Sequence, residues 1–145
     1  MKKHKRLIAF TAIIFITIVS VGQNKKCFKE INSLLKEQES SWNQGNIQAY
    51  MLHYWQSDSM MFVSKNEVTY GWKQTLDNYM KSYPDRSAMG MLLFDNLNFQ
   101  FINKRNVMVI GSWHLSREKG DIGGNFSLLW RKIKGKWKII IDHTS

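Results

Sequence analysis

The chain has 145 residues, 43% of them hydrophobic and 13% aromatic, with a formal net charge of +10. That length gives one domain with one core. One cysteine excludes an internal disulfide and a structural zinc site of several thiolates.

Lys2, Lys3, Lys5 and Arg6 precede an uncharged apolar run from Leu7 to Val21, and Ser20-Val21-Gly22 offers small residues for cleavage before Gln23. A helix over that run spans roughly 22 Å, short of a bilayer core of about 30 Å. Residues 1–22 therefore read as a signal peptide and 23–145 as the domain, exported to the periplasm or the medium. A membrane partner enters only through the signal segment, if it stays uncleaved. Removing its four basic residues leaves 17 basic against 11 acidic, a net +6. The basic groups gather near Lys25, Lys26 and Lys29 and along Arg131–Lys138. They serve an anionic surface or keep a solvated hairpin from aggregating. No nucleic-acid motif is present.

Phe28, Ile31, Leu34, Leu35, Gln38 and Trp42 form one stripe at helical spacing, predicting a helix from Phe28 to Gln44 that Gly45 stops. Asn46 caps a second helix, Ile47 to Trp55, aromatic on its buried side. Ser59–Val63 and Val68–Tyr70 read as short strands around a polar turn. A third helix runs from Trp72 to Ser82, ended by Pro84. Three long strands follow, Met91–Ile102, Val107–Arg117 and Asn125–Ile133. A Lys134-Gly135 turn then opens the last strand. Two-residue alternation places Leu93, Asp95, Leu97, Phe99 and Phe101 on one face, and Trp137, Ile139, Ile141 and His143 on one face. Helices first and meandering strands later predict an α+β domain: a cone-shaped, strongly curved antiparallel sheet covered by three N-terminal helices.

This order resembles the nuclear transport factor 2-like (cystatin-like roll) family, in its SnoaL-like and ketosteroid-isomerase-like branch. The resemblance is carried by Trp42-Asn43-Gln44-Gly45-Asn46-Ile47, Tyr70-Gly71-Trp72, Gly111-Ser112-Trp113, Gly135-Lys136-Trp137 and Asp142-His143-Thr144-Ser145. It implies a cone pocket and a homodimer through the outer face of the sheet. The closing strand also resembles the association domain of calcium/calmodulin-dependent kinase. Ketosteroid isomerase uses a carboxylate base with a tyrosine and a protonated acid. Counted from the Gly45 bend, those places fall near Phe62 or Val63, Gln38, and Ser127 or Leu128. None carries the chemistry, so that activity does not transfer.

Asp95, in register with apolar neighbours, is a pocket acid able to move a proton or a residue at a strand bend that reaches solvent. His143 is a general base, a ligand donor, or a core histidine bonded to a backbone carbonyl. Asp142 points to the opposite face by alternation. Trp42, Tyr50, Tyr54, Tyr79, Tyr83 and Trp113 supply an aromatic lining with hydroxyls to orient a small apolar or aromatic molecule. No residue pattern calls for a metal or cofactor. The rival readings are an isomerase, cyclase or lyase using Asp95 or His143, and an interaction module whose cone is filled by its own side chains.

Overall fold

The computed structural model describes the backbone of residues 3–145 and the side chains of residues 22–145. The expected signal peptide, residues 1–22, lies outside the described side chains except for Gly22. Among the described residues no helix is long and apolar enough to cross a membrane.

Helix α1 (Lys3–Asn43) buries Cys27, Ile31, Leu35, Gln38 and Trp42, spaced three and four apart on one stripe. Phe28, expected on that stripe, is 44% exposed, and Cys27 sits inside the core. Burial pushes the Cys27 thiol up, as an apolar surrounding disfavours the thiolate. Gly45 adopts φ +78° and ends the helix. The Asn46 side chain accepts from the Ala49 amide at 2.9 Å and starts α2 (Ile47–Met51), four residues shorter than expected. Strands β1 (Met61–Val63) and β2 (Val68–Tyr70) precede α3 (Trp72–Ser82). A short fourth helix, α4 (Arg86–Met89), was not expected; Asp85 caps it through the Ala88 amide.

Strands β3 (Met91–Asn103), β4 (Asn106–Ser116), β5 (Ile122–Ile133) and β6 (Lys136–Thr144) complete a curved, unclosed sheet in the order β2-β1-β6-β5-β4-β3. The sheet is mixed, not wholly antiparallel. β1 lies parallel to β6, Met61 opposite Ile141 and Phe62 opposite Asp142. These two strands are joined through most of the domain, not by a hairpin, so nothing forces them antiparallel. The core fills the space between helices and sheet, around the fully buried Trp130, Tyr54, Ile31, Leu35, Met51 and Ile139.

The free edge of β3 is covered by α1. Asn43 both accepts from the Leu92 amide at 2.7 Å and donates to its carbonyl at 3.0 Å, and Glu39 accepts from the Phe94 amide at 2.8 Å. The side chains thus stand in for a neighbouring strand and satisfy an edge that would otherwise pair with another chain.

Two of the three register shifts in the sheet fall beside a carboxylate and redirect the strands there. In β3 the register slips between Asp95 and Asn98, and Asn96 takes φ 53°. In β6 Leu129 faces Ile141 while Trp130 faces Ile139, leaving Ile140 as the extra residue. Each bulge inverts the alternation on one side of it. Both single-face expectations fail for that reason. Leu93 is 53% exposed although Leu97, Phe99 and Phe101 pack on the core. His143 is exposed although Trp137 and Ile139 are buried.

Candidate functional site

A cavity of about 240 Å³ opens between the helices and the concave face of the sheet. Its helical wall is an aromatic cluster. Trp42 lies 5.2 Å from Tyr50, 6.0 Å from Tyr79 and 4.8 Å from Tyr83 between ring centroids, all at steep angles. Trp42 is held by its indole N–H, which donates to the Met89 carbonyl at 3.2 Å. Tyr50 stands 6.0 Å from Tyr54 and 5.6 Å from Tyr79. The sheet contributes Trp113 from β4, Phe126 and Leu128 from β5, and Asp142 and Thr144 from β6. All six expected aromatic lining residues are thus brought together. The exposed Glu67 of the β1–β2 turn also lines the cavity, which therefore reaches the surface there.

The two acid-base candidates are not part of it. Asp95 is exposed, and its Oδ1 accepts from the next amide, that of Asn96, at 2.7 Å. That bond props the left-handed turn of the bulge. His143 is exposed on the other face of β6. The expected bend at Asp95-Asn96 exists, and it carries Asp95 into solvent. His143 is displaced because Ile140 adds one residue ahead of it.

The residue that the bulge turns inward is Asp142, 3% exposed. Its Oδ2 accepts from the Tyr54 hydroxyl at 2.6 Å and its Oδ1 from the Thr144 hydroxyl at 2.5 Å. Loss of solvent pushes its carboxyl up, and the bonds from Thr144 and Tyr54 partly offset this. Burial also pushes up the hydroxyls of Tyr50, Tyr54 and Tyr79, reinforced in each case by the nearby carboxyl. Near neutral pH the three tyrosines are protonated donors clustered about one acid. Alternation alone places Asp142 outside. The available signal was the unbroken Ile139-Ile140-Ile141 run, where a two-residue period carries no face information.

Gln38 is the second polar group that the sequence left unassigned. It is 1% exposed, lines the cavity, and neither Nε2 nor Oε1 has a hydrogen-bond partner. The Trp113 indole N–H, also at the cavity, is likewise unpaired. Unpaired buried polar atoms cost free energy and call for a partner. Gln38, Phe62 and Leu128, at the places counted from the isomerase, all line the cavity. Phe62 offers a ring where a base would stand, so the site is organised around Asp142 instead. Among the described residues no three His, Cys, Asp or Glu side chains gather closely enough to hold a metal ion.

The roll of helices on a curved sheet, with a cavity between them, defines a nuclear transport factor 2-like domain, and this chain belongs to that family. A nuclear transport factor 2-like protein of unknown function from Shewanella oneidensis MR-1 is 40% identical, the match covering 81% of this chain and 97% of that one at a TM-score of 0.77. A superfamily protein from Salmonella enterica serovar Typhimurium shares the fold at 18% identity, with 84% and 92% of the chains covered and a TM-score of 0.69. LinA does so at 15% identity, with 87% and 89% covered and a TM-score of 0.71. The chain matches no family profile and no curated protein sequence.

Proposed function

We propose that this chain is an exported domain that binds one small, mostly aromatic molecule in the cavity between its helices and sheet. The observation that carries this reading is the pairing of an aromatic wall with a few inward polar groups, Asp142, Tyr54 and Gln38. That composition is characteristic of ligand pockets. The volume, about 240 Å³, sets the size of the occupant. An engineered cavity of about 150 Å³ takes benzene. This one has room for a ring with a short arm. It also lies under the roughly 300 Å³ at which drug-sized pockets begin.

The test is native mass spectrometry of the protein purified gently from its own host. A stable extra mass, lost on denaturation, supports the reading and supplies the ligand. A bare chain, combined with no thermal shift from any small aromatic compound, would leave the interaction module as the better account. The same spectrum tests two companion proposals. Export with cleavage predicts a chain beginning at Gln23. Pairing through the outer sheet face, where Leu93 and Ile110 are exposed, predicts a dimer mass.

A second reading is proton-transfer catalysis, and Asp142 favours it. A buried carboxyl with raised proton affinity, beside a tyrosine donor, can exchange a proton with a bound carbon or oxygen acid. In this reading the role considered for Asp95 or His143 passes to Asp142. Once the native ligand is known, turnover abolished in Asp142→Asn and kept in His143→Ala would support it. Equal turnover in both variants would end it.

A further inference from the structure

The cavity is electrically unlike the chain that surrounds it. Lys and Arg number 21 against 11 Asp and Glu. Yet among the described residues the lining holds two carboxylates, Asp142 and Glu67, and no Lys, Arg or His. Asp142 meets only hydroxyls. The ion pairs among the described residues lie elsewhere, at Lys73–Asp77, His114–Asp121 and Lys132–Glu30. The nearest titratable cation along the chain, His143, is exposed on the far face of β6.

A buried carboxylate without a cation is expensive, so burial makes Asp142 hold its proton more tightly, and a bound cation would relieve that cost where the described lining supplies none. The Gln38 amide, unpaired at both Oε1 and Nε2, adds a polar group in the same cavity that can accept from a ligand or donate to it. An ammonium group has three donors and no acceptor, and so matches a carboxylate that has no cation. The rest of the wall suits the same ligand. Trp42 meets Tyr50 at 66° and Tyr83 at 78°, and all three rings line the cavity. Electron-rich ring faces attract cations, Trp most strongly. An anionic ligand could accept from the unpaired Trp113 and Gln38 N–H groups, but it would find no cation in the lining and would face the Asp142 carboxyl. A neutral ligand would leave that carboxyl with hydroxyl partners and no counter-charge.

Resting on the ligand-binding reading above, we propose that the cavity selects a small organic cation. The ligand is an amine whose ammonium group pairs with Asp142 and whose hydrocarbon body lies against Trp42, Tyr50 and Tyr79.

The full chain is titrated by calorimetry with benzylamine, benzyl alcohol and benzoate, three probes of nearly equal size and different charge. Near pH 7, benzylamine should bind roughly tenfold or more tighter than benzyl alcohol, and benzoate weakest. Comparable affinities for benzylamine and benzyl alcohol would overturn the cation proposal while leaving the cavity reading intact. So would benzoate binding tightest. Binding of none of the three at roughly 10 mM, where even weak millimolar affinity registers, would overturn both. These arms need no variant. Asp142→Asn then assigns the preference: benzylamine and benzyl alcohol should come within about threefold of each other, since the charge-assisted bond is gone. Asp95→Asn, on the outer face, should keep the parent ratio. A ratio unchanged in Asp142→Asn would remove Asp142 from the site.

Discussion

β3 and β6 each carry a bulge beside a carboxylate, and the outcomes are opposite. β3 is an edge strand, bonded to β4 on one side and covered on the other by Asn43 and Glu39. Its bulge at Asn96 leaves Asp95 in water. β6 is central. On its far side it bonds first to the His53–Trp55 segment, through the Ile139 amide and carbonyl, and then to β1 from Ile141 onward. Its bulge at Ile140 falls at that change of partner and turns Asp142 into the cavity. The lesson is that side-chain alternation assigns faces only between bulges. A bulge at an edge trims a surface, whereas one in a central strand decides what the site contains.

The largest test of this comparison is deletion of Ile140. Strict alternation then runs from Ile139 through the end of β6 and keeps the faces that the bulge set: Ile141 out, Asp142 in, His143 out. We expect the fold to stand at a loss of about 2–5 kcal/mol, the cost of a buried isoleucine side chain, because no residue after the deletion changes face. Urea unfolding measures it. A variant that fails to fold would show that the bulge does more than set the face. Next comes Tyr54→Phe, which removes the hydroxyl bonded to Asp142 at 2.6 Å. A buried oxygen loses its donor, at a cost of about 1–3 kcal/mol. A loss under about 0.5 kcal/mol, the scatter of surface substitutions, would make the Tyr54–Asp142 contact incidental.

The pH dependence sharpens the same contrast. The Asp142 carboxyl is raised from its ordinary 3.8 by burial. Folding therefore takes up a proton between the unfolded and folded values. Its stabilising contribution is full below 3.8 and is lost as pH rises through the folded value. Asp142→Asn lacks this group. The stability of the wild type relative to the variant should fall as pH rises through that window and then level off. Parallel curves would mean that Asp142 ionises as freely folded as unfolded.

Much of the fold is legible in the sequence. Val68–Tyr70 and Trp72–Ser82 form the elements that the pattern predicts, and Asn46 caps α2. The inner face of β4 follows its alternation from Val107 to Leu115 without a break. These are local signals: a cap, a proline stop, an uninterrupted period. The aromatic wall is legible for a related reason, since rings at helical spacing must face the sheet. Asp142 is hidden because its orientation depends on a pairing between β6 and residues more than 70 positions earlier, at His53–Trp55 and Met61–Val63. Gln38 reads as one polar member of an apolar stripe. Its vacant hydrogen bonds exist only once α1 is laid over the cavity.

The smallest effect belongs to Asp95→Ala, and its smallness is informative. The side chain is exposed, and its one bond among the described residues is to the neighbouring Asn96 amide. Asn tolerates the left-handed conformation better than most residues, so the turn stands without that prop. The stability change should stay within about 0.5 kcal/mol, as for other surface positions. Affinity for any cavity ligand should be unchanged. A larger loss of either kind would mean that Asp95 serves the site after all, through an arrangement in which β3 has slipped past its bulge. Measured beside Tyr54→Phe in one urea series, it separates the carboxylate that shapes a turn from the one that shapes a cavity.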